Sequence, residues 1–259
     1  MVAMRQAAIN GMKRVFGLAG LDVRRRQPNG RNYSWLKSLK IDTVLDIGAN
    51  TGQFVSEIRE ILPEAYIFSF EPQTQVYRQL LRSWGHDTRF RAFNVAVGDE
   101  NCTADFHQSA SSPSSSLLPM TELHLKNFPT TMEKGVEKVQ VARLDDFAAQ
   151  LSIGDHVLVK VDVQGAEDKV LRGGENTLRN AEIIVIESCF QELYQGQMLF
   201  KDLADFLYSL GFRYLGGLYG YLVSPLDGSN LCEDSVFIHR THFEHNALKS
   251  GRPHQAATS

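Results

Sequence analysis

A chain of 259 residues with 43% hydrophobic content and a net charge of −3 can bury a substantial core, and it lacks the basic surplus of a general nucleic-acid binder. No apolar run approaches the roughly 18–20 residues of a membrane span, and the N-terminus lacks the apolar core of a signal peptide. Three cysteines, Cys102, Cys189 and Cys232, are odd in number and widely scattered; they predict neither a disulfide framework nor a zinc site, and they point to a reduced, cytoplasmic protein.

Residues 1–34 read as a basic appendage. Met1, Met4, Ala8, Met12, Val15 and Phe16 share one face of a helix, with Gln6, Asn10, Lys13 and Arg14 opposite. Within residues 1–31, Arg5, Lys13, Arg14, Arg24, Arg25, Arg26 and Arg31 face one acid, Asp22. Such a helix either packs across the domain or makes a peripheral contact with an anionic membrane surface, beside a lipid-linked substrate.

The next segment, 35–243, reads as one α/β domain. Val44 to Gly52, VLDIGANTG, is an apolar strand ending in an acid, then a glycine-rich turn and a helical stretch. That order predicts a strand feeding a helix through a turn whose backbone amides are free to meet a ligand. The spacing is D-x-G-x-N-x-G, and Asn50 and Gln53 replace the glycines that anchor a pyrophosphate. Asp46 directly before the turn suits a cationic or amino-bearing ligand. A second strand, Ala65 to Phe70, ends at Glu71, which is placed to bind ribose hydroxyls.

Further elements alternate, which argues for a mostly parallel sheet covered on both faces. Helices are predicted near Gly52–Leu62 and Thr74–Trp84, with a third strand within Thr88–Val97. Ala104–Gln108 reads as an extra strand, followed by the Ser-rich stretch Ser109–Ser116, whose place above the carboxyl end of the sheet suits a gate for substrate. A short strand at Val139–Ala142 leads into a helix from Leu144. The fourth sheet strand is Val157–Val161 and the fifth Ile183–Ile186. A helix over Leu199–Leu210 follows, then strands at Phe212–Leu215 and Ser235–His239 around a hairpin or loop at Tyr219–Leu226. Residues 244–259 form a polar tail. His239, His242 and His245 run into that tail, and their spacing fits no single metal-binding face.

Several blocks together resemble one family. VLDIGANTG, FEPQ (Phe70–Gln73), NVAVGD (Asn94–Asp99), SSSLLP (Ser114–Pro119), RLDDF (Arg143–Phe147), KVDVQGAE (Lys160–Glu167), LYQGQ (Leu193–Gln197) and DSVFIHR (Asp234–Arg240) occur in the order of the FkbM family of S-adenosylmethionine (SAM)-dependent methyltransferases. The resemblance covers about residues 40–240. It implies a class I methyltransferase fold: a Rossmann-like, three-layer α/β/α domain with a seven-stranded, mostly parallel sheet whose last strand is antiparallel. It also implies O-methylation of a hydroxyl on a carbohydrate, glycolipid or related secondary metabolite. Carried onto this chain, Asp46, Gly48, Ala49, Asn50 and Gly52 would meet the methionine part of SAM. Glu71 and Pro72 would lie at the ribose, and Asn94, Val95 and Ala96 would border the adenine. Gln164 departs from the family, which often has Glu there.

Methyl transfer to a neutral hydroxyl calls for positioning and a base. Lys160 and Asp162 are two apart and share one side of an extended strand, and Glu187 ends the neighbouring strand. Asp162 and Glu187 are therefore candidate bases, unless Asp162 is only the N-cap of the helix at Ala166. Lys160 is a partner to these acids, or a base itself if its pKa is depressed. The two acids could share a divalent cation, but two oxygen ligands are too few to assign a metal site. Tyr194 and Gln197 are placed to line an acceptor pocket. Two other classes compete on this fold: a nucleotide-binding oxidoreductase, and a SAM-fold scaffold without catalysis.

Overall fold

Period-two alternation in the central strands sorts their side chains onto two buried faces. In the computed structural model, which describes residues 33–241, β1 (Thr43–Ile47) and β7 (Val157–Val161) are buried along their whole length. Leu45, Ile47, Val157, Val159 and Val161 join one core, while Val44 and Leu158 join the other. Strands buried on both faces read as continuous apolar runs, which is why VLDI and VLVKV carry so little polar punctuation.

The main sheet has seven strands in the order β3 (Phe90–Phe93), β2 (Tyr66–Phe70), β1, β7, β8 (Ala181–Cys189), β10 (Asn230–His239), β9 (Phe212–Val223). All neighbours pair in parallel except β10, which runs antiparallel to both β8 and β9. On one face lie α1 (Gln53–Ile61), through Phe54, Val55 and Ile58, and α2 (Thr74–Trp84), through Leu80. On the other lie α4 (Leu144–Ala148), α5 (Glu167–Gly173), α6 (Glu175–Arg179) and α7 (Phe200–Ser209), through residues such as Leu144, Val170, Leu178 and Leu207. This is the predicted three-layer class I methyltransferase architecture. The chain leaves β1 towards β2 and later returns to β7 on its other side, so the carboxyl ends of β1 and β7 form the topological switch point where ligands bind in open α/β sheets.

A second sheet of three strands, β4 (Ala96–Gly98), β6 (Glu133–Arg143) and β5 (Cys102–Ser109), stands apart from the first. The predicted third strand is thus two: after Phe93, Asn94 turns to bond the carbonyls of Glu71 and Pro72, and the chain then enters the smaller sheet. The β5–β6 connection holds a helix the sequence pattern did not predict, α3 (Glu122–Asn127), whose His124 amide donates to the capping hydroxyl of Thr121 at 3.2 Å. The Tyr219–Leu226 segment is mostly a continuation of β9, with bulges against β10 that keep the pairing while shifting its register.

The cysteine expectation needs correction. Cys189 and Cys232 lie 43 residues apart in sequence, but antiparallel pairing of β8 and β10 makes them register partners, and they form a disulfide; Cys102 is free. The cysteine-based argument for a reduced compartment falls with it. No helix among the described residues is long and apolar enough to cross a membrane. The basic stretch 1–31, for which a membrane contact is one expectation, the tail 244–259, and His242 and His245 lie outside the described residues.

Candidate active site at the carboxyl edge

Sheet register builds the first half of the site. Asp46 on β1 is paired with Ser69 on β2 and Lys160 on β7, so one row across the sheet carries a hydroxyl, a carboxylate and an ammonium. The Ser69 hydroxyl donates to Asp46 Oδ2 at 3.0 Å. Burial is the dominant influence on Asp46 and raises its pKa to about 6, although Lys160 and the Ser69 bond pull the other way. Ser69, the one polar residue inside the AYIFSF strand, is a member of the site that sequence reading passed over.

Beyond β1, the chain turns where it almost touches β7. Gly48 has φ +84°, and a Cβ there would sit 1.8 Å from the carbonyl oxygen of Asp162. The turn's amides are not free, contrary to the sequence expectation. Gly48 and Ala49 both donate to the Phe70 carbonyl, Thr51 donates to Asn50 Oδ1, and Gly52 donates to Ala49. Asn50 donates to Glu71 Oε2 at 3.0 Å, and Gln73 donates to Glu71 Oε1 at 2.8 Å. A diphosphate needs unpaired N–H donors; between Gly48 and Gly52 there are none. Each Glu71 oxygen keeps lone-pair capacity beyond its single amide, as a partner for ribose hydroxyls requires.

Of the residues expected near the adenine, Asn94 holds the Glu71 and Pro72 carbonyls at 3.0 and 2.8 Å. Val95 and Ala96 turn their side chains into the core. Ala49 is likewise buried.

The second half gathers after β7 and β8. Lys160 Nζ and Asp162 Oδ2 form an ion pair at 2.9 Å. Burial alone would lower the Lys160 pKa; Asp162, Asp234 and Asp46 outweigh it and raise it, so Lys160 stays a cation and acts as a partner rather than a base. Asp162 does not cap the following helix. The N-cap position is Ala166, whose side chain makes no capping bond, and buried Glu167 instead braces the preceding loop, its carboxylate accepting the amides of Val163 and Gly165.

Gln164 stands between the two candidate bases. Its Nε2 donates to Asp162 Oδ1 at 2.9 Å and to Glu187 Oε2 at 2.7 Å, and Tyr194 Oη donates to its Oε1 at 2.8 Å. Gln164 has φ +57°, an uncommon backbone for a non-glycine, secured by Ser116 Oγ bonding its carbonyl at 2.6 Å. The place two carboxylates would offer a shared cation is filled by an amide. Among the described residues no cluster of three or more His, Cys, Asp or Glu is placed to hold a metal.

The Ser-rich stretch lies over both halves. Ser112 Oγ receives a bond from Asn50 Nδ2 at 3.3 Å, and the Ser114 carbonyl is within 3.0 Å of Tyr194 Oη. Beneath it is a recess of about 170 Å³ lined by Gln164, Glu187, Tyr194, His124 and Phe128, among others. Gln197 does not line it; its Oε1 instead accepts the amides of Leu193 and Tyr194.

Buried acids make a stability prediction. Burial raises Glu71 and Glu167 to about 7, and Asp46 to about 6, all above their ordinary values. Groups raised in this way stabilise the fold fully below their unfolded pKa, and that contribution is lost as pH rises through the folded values. The ligand-free protein should therefore melt at higher temperature at pH 6.5 than at pH 8, judged by scanning calorimetry. Below this window the depressed pKa of buried His124 acts in the opposite direction. A flat or rising melting temperature between pH 6.5 and 8 would mean that these acids ionise without penalty.

Comparison with known proteins places this geometry. Residues 46–214 match the methyltransferase FkbM domain. The 2-O-methyltransferase NoeI of Sinorhizobium fredii (strain NBRC 101917 / NGR234) is 33% identical over 170 residues, covering 63% of this chain and 70% of that protein. Among solved structures, Aeropyrum pernix fibrillarin with natively bound S-adenosyl-L-methionine aligns at a TM-score of 0.43 and 13% identity, over 79% of this chain and 72% of that one. Magnesium protoporphyrin IX methyltransferase from Synechocystis PCC 6803 aligns at 0.42 and 10%, over 80% and 75%. The fold assignment rests on the strand order and not on these two. With the matched span running from Asp46 through the turn, both acid-bearing strand ends and into β9, the chain belongs to the FkbM methyltransferase family.

Proposed function

We propose that the chain is an O-methyltransferase that carries the methyl group of SAM to a hydroxyl of a carbohydrate, glycoconjugate or related metabolite. The observation that carries this reading is the juxtaposition at the switch point: a nucleoside-type turn with Glu71 on one side, and a carboxylate pair above a small recess on the other. The relative NoeI, named a 2-O-methyltransferase, supports oxygen as the acceptor atom.

SAM, when bound, supplies a methyl group on a positively charged sulfur. On the protein's side, Glu71 holds the ribose hydroxyls, and the partnered Gly48–Gly52 turn presents no anion nest to compete for a phosphate. Asp46 and Asp162 set a negative field around the sulfonium, with Lys160 limiting their mutual repulsion. Glu187 takes the proton of the attacking hydroxyl. Gln164 keeps Glu187 and Asp162 apart and aligned, and Tyr194 fixes Gln164. The 109–116 segment gates the entrance, since Ser112 stands beside Asn50. The domain responsible is the 35–243 segment, with the basic leader as its surface anchor.

Labelled SAM incubated with a glycan and glycolipid panel tests this directly. The expected product is heavier than its acceptor by one methylene. Label appearing on protein or nitrogen compounds alone would refute it. For Glu71→Gln, loss of charge at the ribose should weaken S-adenosylhomocysteine binding about 10- to 100-fold, the range for hydrogen bonds to a charged group. Calorimetry showing wild-type affinity would move the ribose elsewhere.

A further inference from the structure

The seven-stranded sheet has two edges, and they are built differently. β3 is four residues long and carries exposed Arg91, so brevity and charge discourage another strand from adding to it. β9, at the other edge, is twelve residues long and pairs only with β10 among the described residues. From Tyr214 to Leu226 the chain carries no charged side chain. Leu215, Tyr221, Leu222, Val223 and Leu226 on this strand and its turn are 43–63% exposed. Proteins normally protect an edge of this length and composition.

Chemistry narrows what covers it. The outer side of an edge strand presents N–H and C=O groups that lipid cannot satisfy, whereas another strand satisfies them in a ladder. Tyr221, Leu222 and Val223 are exposed at successive positions and so lie on both faces of the strand; the partner meets the edge and not one face. A partner drawn by charge finds nothing to grip, but a copy of the same strip meets it without repulsion. Charge enters only at the ends, with exposed Arg213 before the strip and exposed Asp227 after it. Antiparallel pairing with a second copy sets the Arg213 end of each beside the Asp227 end of the other. The bulges agree with that arrangement. The extra residues of β9 lie between Tyr214 and Tyr221, which leaves a regular piece at either end. In an antiparallel pair, Phe212–Tyr214 of each copy faces Tyr221–Val223 of the other.

We propose that β9 is a homodimer interface, joining two copies edge to edge about a two-fold axis so that their seven-stranded sheets run on into one another. Such a self-complementary contact closes at two copies, with blunted β3 at each outer end. Leu222 also lines the recess beside Glu187, so the partner's strand stands next to the acceptor's entrance. Twelve residues at about 3.4 Å each, in a sheet layer about 10 Å thick, give a flat footprint of roughly 400 Å² per copy. Side-chain relief adds to that, against about 800 Å² per partner in a standard interface. The dimer therefore belongs to the smaller, micromolar class. None of this depends on the methyltransferase reading.

Sedimentation equilibrium of the full chain from about 1 to 100 µM spans the range expected for so small an interface. Mass should rise with concentration towards twice the 29.1 kDa of one chain and go no further. Leu215→Lys and Val223→Lys put on the strip the residue that natural edges use to stay unpaired. In a two-fold contact each substitution occurs twice. Each should weaken association about 100-fold or more, through lost apolar contact and like charges brought together. Both side chains are about half exposed, so circular dichroism should be unchanged.

Hydrogen exchange locates the contact in the unmodified chain: amides of β9 should gain protection between dilute and concentrated protein, and those of β3 should not. A chain still monomeric at about 100 µM, growth beyond two copies, a dimer that survives both lysine variants, or protection gained elsewhere and not on β9 would each overturn the assignment. So would a monomer that binds phosphatidylcholine vesicles and loses that binding in both lysine variants, which would make the strip a lipid-facing surface.

Discussion

Glu187→Gln is expected to lower kcat by about 10²–10⁴-fold, the usual contribution of a positioned base, while S-adenosylhomocysteine affinity changes little. Burial, then the nearby charges of Asp162, Glu167 and Asp234, hold the Glu187 pKa well above the ordinary carboxylate range, with Lys160 opposing. A carboxylate shifted in that direction is a stronger base and closer to the operating pH. It must be deprotonated to act, so kcat/KM should rise with pH through the raised value, and Glu187→Gln should erase that acidic limb. Asp162 offers a contrast. Its two oxygens are engaged by Lys160 and Gln164 at 2.9 Å each. Asp162→Asn takes from buried Lys160 the nearest of its acids, so it should lower the melting temperature as well as turnover. If Glu187→Gln retains kcat and Asp162→Asn does not, the roles are reversed.

How far this site could be read from residues alone depends on range. Asp46, the Gly48–Gly52 turn and Glu71 were legible because a strand, a tight turn and the next strand's end are set by local pattern and by one βαβ repeat. Lys160 and Asp162 meeting on one side of β7 followed from the same period of two. What escaped depends on pairing between distant segments. The Cys189–Cys232 bond appears only once β10 inserts antiparallel beside β8. Gln164 looked like a lost carboxylate; its positive φ and its three side-chain bonds, which make it a bridge, come from the meeting of the β7 loop, β8 and Tyr194. His124 sits on a six-residue helix inside a long connection, too short to declare itself by periodicity. The engagement of the turn's amides escapes for a related reason: the acceptors of Gly48, Ala49 and Asn50, the Phe70 carbonyl and the Glu71 carboxylate, belong to the end of the neighbouring strand.

Gly48→Ala should be the most damaging single-methyl change in the turn, and a second glycine calibrates it. Gly196 also has positive φ, +76°, but a Cβ there would meet nothing within 4 Å. Gly196→Ala therefore incurs only the left-handed backbone term, about 1–2 kcal/mol. Gly48→Ala incurs that term and drives a methyl into the Asp162 carbonyl, 1.8 Å away. Relief requires β1 and β7 to part at their ends, against the bonds Asp162 N–Ile47 O and Gly48 N–Phe70 O, both 3.0 Å. The sum should exceed about 4 kcal/mol, the range reserved for changes with a specific structural cause. For a domain of this size that is roughly 8–16 °C in Tm, against about 2–8 °C for Gly196→Ala. Calorimetry of the two variants side by side checks the difference. Because the displaced strand ends also carry Asp46 and Asp162, Gly48→Ala should lose S-adenosylhomocysteine binding at temperatures where it is still folded, and Gly196→Ala should keep it. Equal melting temperatures, or retained binding in Gly48→Ala, would show that the turn does not need its close approach to β7. The methyl donor would then have to be held by something other than the junction of these two strands.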